Sequence, residues 1–246
     1  MQEERKKRMR IIAIGGGDIR ERETEKLDRL ILDGTGKERP RVLFVATANG
    51  EAGGYITTFR HYYGQYLGAK VEPLMLLKGE PKSYDAILNK VMAADVIYVA
   101  GGNTHFLLET WRHFGADRAM AEAMAAGKTL CGLSAGGICW FERGWSDYRV
   151  MEGGTDYGML PCLGLAKGDF CPHYDQNIQH EALYAALARD KRPMICVENR
   201  AAVLVDESGY QALCDNGTAR VVLRHPDGRE QVMADGERFS WMPGRS

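Results

Sequence analysis

The chain has 246 residues, 45% of them hydrophobic and 26% charged, with a formal net charge of -1 at pH 7. A chain of that length and content can bury one large α/β core, so one domain over residues 1–246 is expected. The mixed charge argues against a nucleic-acid partner, because phosphate affinity needs a concentrated basic face. No apolar run approaches the roughly 20 residues of a membrane span, and no signal-peptide core follows the basic start; no membrane partner and a cytoplasmic location are therefore expected. The six cysteines (Cys131, Cys139, Cys162, Cys171, Cys196 and Cys214) form no C-x-x-C pair and several sit in apolar strands. They read as reduced core residues without a metal.

Arg5, Lys6, Lys7 and Arg8, with Arg10, read as a solvated leader over residues 1–10. A first strand is expected at residues 11–14, ending in Gly15-Gly16-Gly17-Asp18. This run lacks the G-x-G-x-x-G spacing of a phosphate cradle and reads as a tight turn. A charged helix follows at about 21–32, a second strand at 42–46, and a glycine-rich polar loop at 47–54. The next helix carries Tyr55, Phe59, Tyr62, Tyr63 and Tyr66 at spacings near three and four, the mark of a core-facing stripe. A third strand at 71–77 precedes a helix opened by Ser83 or Asp85, and a fourth strand at 96–100 runs into Gly101-Gly102-Asn103-Thr104. Thr104 is expected to cap the helix through Phe114. A further helix at 117–126 leads to a buried strand at 129–133. This alternation implies parallel strands with right-handed crossovers: a doubly wound, mostly parallel α/β sheet, with sites gathered outside the carboxyl ends of its strands.

The strand at 129–133 ends in Gly132-Leu133-Ser134-Ala135-Gly136, the G-x-S-x-G pattern of a nucleophile elbow, with Gly137 behind it. Small residues around Ser134 allow the strained turn that lifts its hydroxyl clear of the sheet. The Ala135 amide at the helix start and a glycine amide of the Gly101-Gly102 turn at the neighbouring strand end are candidate oxyanion donors. The segment 141–161 is rich in Gly, Tyr and charge and reads as an irregular cover over the site, not as core. Of the six histidines, His173 alone follows an apolar stretch and a proline in a loop able to reach a carboxyl-edge site, which makes it the candidate base. Glu198, at the end of a strand at 194–197, and Asp147, in the cover, are the carboxylates able to orient it. A helix at 178–187 and a strand at 202–205 complete the sheet region. Beyond them, 210–215, 220–223 and 230–233 read as antiparallel hairpins, a C-terminal extension over 207–246 that covers the sheet edge and holds no chemistry.

Four segments, V-A-G-G-N-T-H-F-L-L, C-G-L-S-A-G-G-I-C-W, C-P-H-Y-D and V-E-N-R-A-A-V-L, in this order and spacing, resemble the peptidase E family of cytoplasmic serine dipeptidases, kin to cyanophycinase. The resemblance runs from Ile11 to about Asp206. It implies a flavodoxin-like fold related to class I glutamine amidotransferases, with serine in place of their cysteine nucleophile and no metal or other cofactor. It makes Ser134 the nucleophile, His173 the base, Glu198 the orienting carboxylate and Gly102 and Ala135 the oxyanion donors, with Asp147 an alternative third member. The implied substrate is a small peptide, foremost a dipeptide with N-terminal aspartate, which needs a cation for its side chain. The helix after His173 has no arginine before Arg189; Arg143, Arg149, Arg200 and His180 are the substitutes. An esterase or amidase, a cyanophycinase-like exopeptidase, and a non-catalytic ligand-binding protein are the alternatives on the same elbow, and a homodimer is the assembly considered.

Overall fold

In the computed structural model, which describes residues 10–78, 83–176, 178–215 and 217–241, neighbouring residues of each inner strand face different hydrophobic cores. The basic cluster at residues 5–8, and Asn216 between the expected strands at 210–215 and 220–223, lie outside the described residues. The first half of the chain runs β1 (Arg10–Ile14), α1 (Glu25–Asp33), β2 (Arg41–Val45), α2 (Gly53–Phe59), β3 (Lys70–Leu74), α3 (Tyr84–Ala93), β4 (Val96–Val99), α4 (Thr104–Phe114), α5 (Ala116–Ala125), β5 (Thr129–Leu133) and α6 (Ala135–Ile138). The second half runs β6 (Arg143–Ser146), α7 (Tyr148–Met151), β7 (Gly158–Pro161), β8 (Asp169–Cys171), α8 (His180–Asp190), β9 (Met194–Val197), β10 (Ala201–Asp206), β11 (Gly209–Cys214), β12 (Val221–Arg224), β13 (Glu230–Met233) and β14 (Arg238–Phe239).

Two sheets form. The larger has the order β14-β11-β10-β1-β5-β4-β2-β3, with β1, β5, β4, β2 and β3 parallel and β10, β11 and β14 added antiparallel at one edge. Its connections reverse direction between β2 and β4, since β2 leads outward to β3 and β4 inward to β5. Such a point opens a crevice at the strands' carboxyl ends. The second sheet, β13-β12-β9-β8-β6-β7, departs from the single sheet expected of the sequence. The stretch read as a loose cover supplies β6 and β7, and Gly144, Trp145 and Ser146 are buried. Here the pattern of side chains yields to position: Trp145 donates its indole N–H to the Ile178 carbonyl at 2.8 Å, so the one polar atom of a buried ring is satisfied.

Period-two alternation sorts the layers. Ile11, Ala13, Leu43, Val45, Ile97, Val99 and Leu130 face the middle of the molecule, where α3 to α6 lie and where Phe170, Ile195, Val197, Val221 and Leu223 arrive from the second sheet. Ile12, Ile14, Val42, Phe44, Val96 and Tyr98 face the opposite way, toward Leu27 and Ile31 of α1 and the aromatic stripe. The outer face of the second sheet, with Cys171, Met194, Cys196 and Val222, packs on Leu183, Ala186 and Leu187 of α8.

The aromatic stripe is helical as expected, but its second half, Arg60–Tyr66, widens into π-helical turns. That places two consecutive hydroxyls on one acid: Tyr62 and Tyr63 donate to the fully buried Asp28 at 3.0 and 2.5 Å, and Thr24 donates at 2.9 Å. α1 therefore starts at Glu25, not near residue 21; Thr24 takes the cap position without capping, its hydroxyl turned to Asp28. Ser83 caps α3, and Asn103, one residue before the expected Thr104, caps α4 through the Phe106 amide at 3.0 Å.

Burial raises the Asp28 carboxyl to about 6, against an ordinary 3.8, although its three hydroxyl donors oppose the shift. The folded state therefore holds this proton more tightly than the unfolded chain, and stability falls as pH rises from about 4 to 6, by at most about 3 kcal/mol. Asp28→Asn removes the titration. Urea midpoints of the wild type and Asp28→Asn, measured at pH 4.5 and 7.5, are expected to move in favour of the variant at the higher pH. A second expectation concerns the junction of β5 and α6. A Cβ on Gly136 would collide with the Val99 carbonyl, and one on Gly132 would lie 2.6 Å from the same oxygen. Gly132→Ala and Gly136→Ala should each cost about 3 kcal/mol or more in urea unfolding. Gly54→Ala in α2, with nothing within 4 Å of the new methyl, should be neutral or stabilising by up to about 1 kcal/mol.

Candidate functional site

β5 delivers Ser134 in a backbone conformation that side chains avoid, φ 57° and ψ -115°. The strain is held from three directions. The Ser134 amide donates to the Ile14 carbonyl at 3.0 Å, and the Gly137 and Ile138 amides both donate to the Ser134 carbonyl at 2.8 Å. Beside the serine, a Cβ on Gly101 would lie 3.4 Å from the Ser134 Cβ, and Gly102 takes φ 141° at a point where a Cβ would overlap the Ala48 carbonyl. No residue with a side chain fits there. Among the described residues neither the Gly102 nor the Ala135 amide has a hydrogen-bond partner within the protein.

His173 comes from the second sheet. It follows β8 at φ 105°, outside even the left-handed helical region, and its amide and that of Tyr174 both donate to the Val197 carbonyl at 3.1 Å. Pinned to the end of β9, the ring puts Nδ1 2.6 Å from Oδ1 of Asn199. An amide oxygen only accepts, so Nδ1 carries the proton and Nε2 is left as the basic nitrogen. Asn199 is fixed in turn by its backbone N–H, which donates to Asp175 Oδ1 at 2.8 Å, and by the β-bridge between Gly16 and Asn199. A Cβ on Gly16 would overlap both Asn199 Oδ1 and the His173 ring, and one on Gly15 would overlap the Val197 and Glu198 carbonyls. The G-G-G-D turn thus does more than turn: it is the floor on which the His–Asn pair lies.

The carboxylate chosen from the sequence to orient His173 is engaged elsewhere. Glu198, buried, accepts from the Arg220 backbone amide at 2.9 Å and from its Nε at 2.7 Å, and among the described residues makes no hydrogen bond to His173. Consecutive residues of an extended chain face opposite ways, and so Asn199 meets the imidazole while Glu198 ties the turn to β12. Asn199 was missed in the sequence because an acid beside it is the more familiar partner; the signal available was its place in the same V-E-N-R strand end.

Gly102, Ser134 and His173 line one cavity of about 230 Å³, closed by Ile138, Trp145, Ser146, Asp147, Met151, Tyr157, Pro172, Gln176 and Ile178. Asp147 is half-buried in that wall; burial pushes its carboxyl up, and its own amide and the charge of His173 pull it back. α7, which carries Met151, is clipped to the start of α4 by Glu152, which accepts from Asn103 at 3.1 Å and lies 2.9 Å from His105. None of the four cation substitutes lines the cavity. Arg143 is bound between Asp169 and Asp190 at 2.5 and 2.7 Å, Arg149 bonds the Tyr148 hydroxyl, His180 the Tyr174 carbonyl, and Arg200 has a buried Nε. A wider groove of about 790 Å³ beside α1, lined by Arg10, Lys26 and Asp33 among others, holds no nucleophile. Among the described residues no cluster of three His, Cys, Asp or Glu side chains could hold a metal, and no helix is long and apolar enough to cross a membrane.

Comparisons with known proteins speak to the family and the fold. The chain is 40% identical over 210 residues to an uncharacterized peptidase, YgaJ, of Bacillus subtilis, covering 85% of this chain and 81% of that one. It is 32% identical over 146 residues to an uncharacterized peptidase, Lin0382, of Listeria innocua, covering 55% and 67%. Among solved structures, a peptidase from an acI-B1 actinobacterium superposes with a TM-score of 0.74 at 22% identity over 94% of this chain and 96% of that one. A putative peptidase E protein from Listeria monocytogenes superposes with a TM-score of 0.59 at 21% identity over 83% and 98%. At such identities these two speak for the fold, mixed α/β around a large parallel-rich sheet. Residues 11–213 match the family model described as peptidase family S51, and the chain belongs to that family.

Proposed function

We propose that the protein is a serine peptidase acting on small peptides, with Ser134 as nucleophile and His173 as its base. The observation that carries the reading is the meeting, in one small cavity, of a strained serine and a histidine whose distal nitrogen is held by Asn199. His173 Nε2 takes the proton from Ser134 Oγ as the oxygen attacks the peptide carbonyl. The Gly102 and Ala135 amides, free of other partners, receive the oxyanion. The imidazolium then protonates the leaving amine, and a water activated by the same nitrogen releases the acyl group from Ser134. Asn199 fixes the tautomer and the ring plane; a histidine served by an asparagine is a known variant of the triad.

The narrower reading, a dipeptidase for N-terminal aspartate with a Ser-His-Glu triad, asks for two groups that the cavity is not seen to supply: a cation for the substrate carboxylate and a Glu198 free of Arg220. The broader one, small-peptide hydrolysis, asks for neither and is the reading adopted.

Ser134→Ala is expected to lower kcat by about three orders of magnitude or more, and a serine-directed phosphonate should label the wild type at Ser134 alone. Retained turnover in Ser134→Ala overturns the reading. Asn199→Ala should lower kcat roughly 10- to 100-fold with KM little changed, since it frees the ring without touching substrate. Glu198→Gln should cost about 1–3 kcal/mol of stability through the lost Arg220 clamp and leave kcat of the folded enzyme within a few-fold. If Glu198→Gln instead matches a His173→Ala loss, Glu198 is the third member.

A further inference from the structure

Among the described residues, the lining of the cavity holds one carboxylate and, apart from the imidazole of His173, no basic side chain. Asp147 is the only carboxylate in the lining, and among the described residues no group other than its own amide donates to it. Around it stand Trp145, Met151, Tyr157 and Ile178. A half-buried carboxylate with no protein donor beyond its own amide is incompletely solvated, and a cation brought by a ligand is its complement. A second carboxylate in the same space is not: two like charges in a partly dry pocket repel.

Resting on the reading of Ser134 as nucleophile, we infer that the cavity takes the first residue of a peptide, its free ammonium on Asp147 and an uncharged apolar or aromatic side chain against Trp145, Met151, Tyr157 and Ile178. The chemistry of the bond fixes the distances. In an N-terminal residue the ammonium is two bonds from the carbonyl carbon that the serine attacks, so the group that pairs it must share the nucleophile's own cavity, as Asp147 does. The volume, about 230 Å³, falls below the roughly 300–1,000 Å³ of pockets for drug-sized ligands and suits one residue, not a chain running through. Glu152, in contact with Asn103 and His105, keeps α7 and Met151 over that space. The substrate class is thus peptides with an unblocked, uncharged apolar N-terminal residue.

The test uses the full chain with Leu-Gly, Met-Gly, Phe-Gly, Asp-Gly and N-acetyl-Leu-Gly, comparing kcat/KM for the wild type, Asp147→Asn and Met151→Arg. The three apolar dipeptides should exceed both Asp-Gly and the blocked peptide by about 100-fold. Asp147→Asn should raise KM for Leu-Gly about 30-fold or more and keep kcat within a few-fold, the mark of a lost binding contact. Met151→Arg, at a position half exposed to solvent, should raise Asp-Gly relative to Leu-Gly about tenfold or more. Equal cleavage of blocked and free peptides overturns the inference, as does a preference for Asp-Gly, or a kcat loss in Asp147→Asn that is the same for every substrate. So does phosphonate labelling of Ser134 with no cleavage of any of the five. Ser134-dependent cleavage with the wrong preference removes this inference alone, whereas absent labelling together with activity retained in Ser134→Ala removes the serine mechanism beneath it.

Discussion

Missing Cβ atoms at Gly15, Gly102, Gly132 and Gly136 let backbone lie on backbone, and the site exists because of them. The Val99 carbonyl occupies the space that side chains on Gly132 and Gly136 would need, which brings the end of β4 against the β5–α6 turn and sets Gly101 and Gly102 beside Ser134. Gly15 does the same for the second sheet, bringing the end of β1 against the Val197 and Glu198 carbonyls, and Gly16 makes room for the Asn199 and His173 side chains. Each approach replaces side-chain packing by contacts that only glycine permits. Hydrogen bonds then lock them: Ser134 to Ile14, Arg200 to Gly16, His173 to Val197.

The strain recorded at Ser134 and His173 follows from the same arrangement. Both residues sit at sparsely populated backbone angles, and both are over-determined by two or more main-chain bonds. Neither is able to relax without breaking a link between strands. What that holds in place is a hydroxyl and an imidazole from different sheets, lining one cavity.

The parallel half of the fold was legible in the sequence because β1, β2, β4 and β5 each carry a buried run of about four residues, with helices between the strands, and only the edge strand β3 is mixed. Ser134 was legible for the same reason, its strand and its glycines being local. The second sheet was not. β6, β7 and β8 are R-G-W-S, G-M-L-P and D-F-C, too short and too mixed to show a period, and they become strands only because β9 and the central core give them a surface to lie on. Asn199 was hidden by a finer limit. Which of two adjacent turn residues faces the imidazole depends on a rotation of half a strand period, and the competing Arg220 that captures Glu198 lies 22 residues further along the chain.

Because the hydroxyl and its base hang from separate sheets, the middle layer of Trp140, Phe141, Phe170 and their neighbours acts as a spacer between them. A small slide of one sheet over the other would part the two groups while leaving every strand paired and every helix intact. Heat or pressure could then silence the chemistry well before any loss of helical or sheet signal, and a spectroscopist following secondary structure would see an undamaged protein.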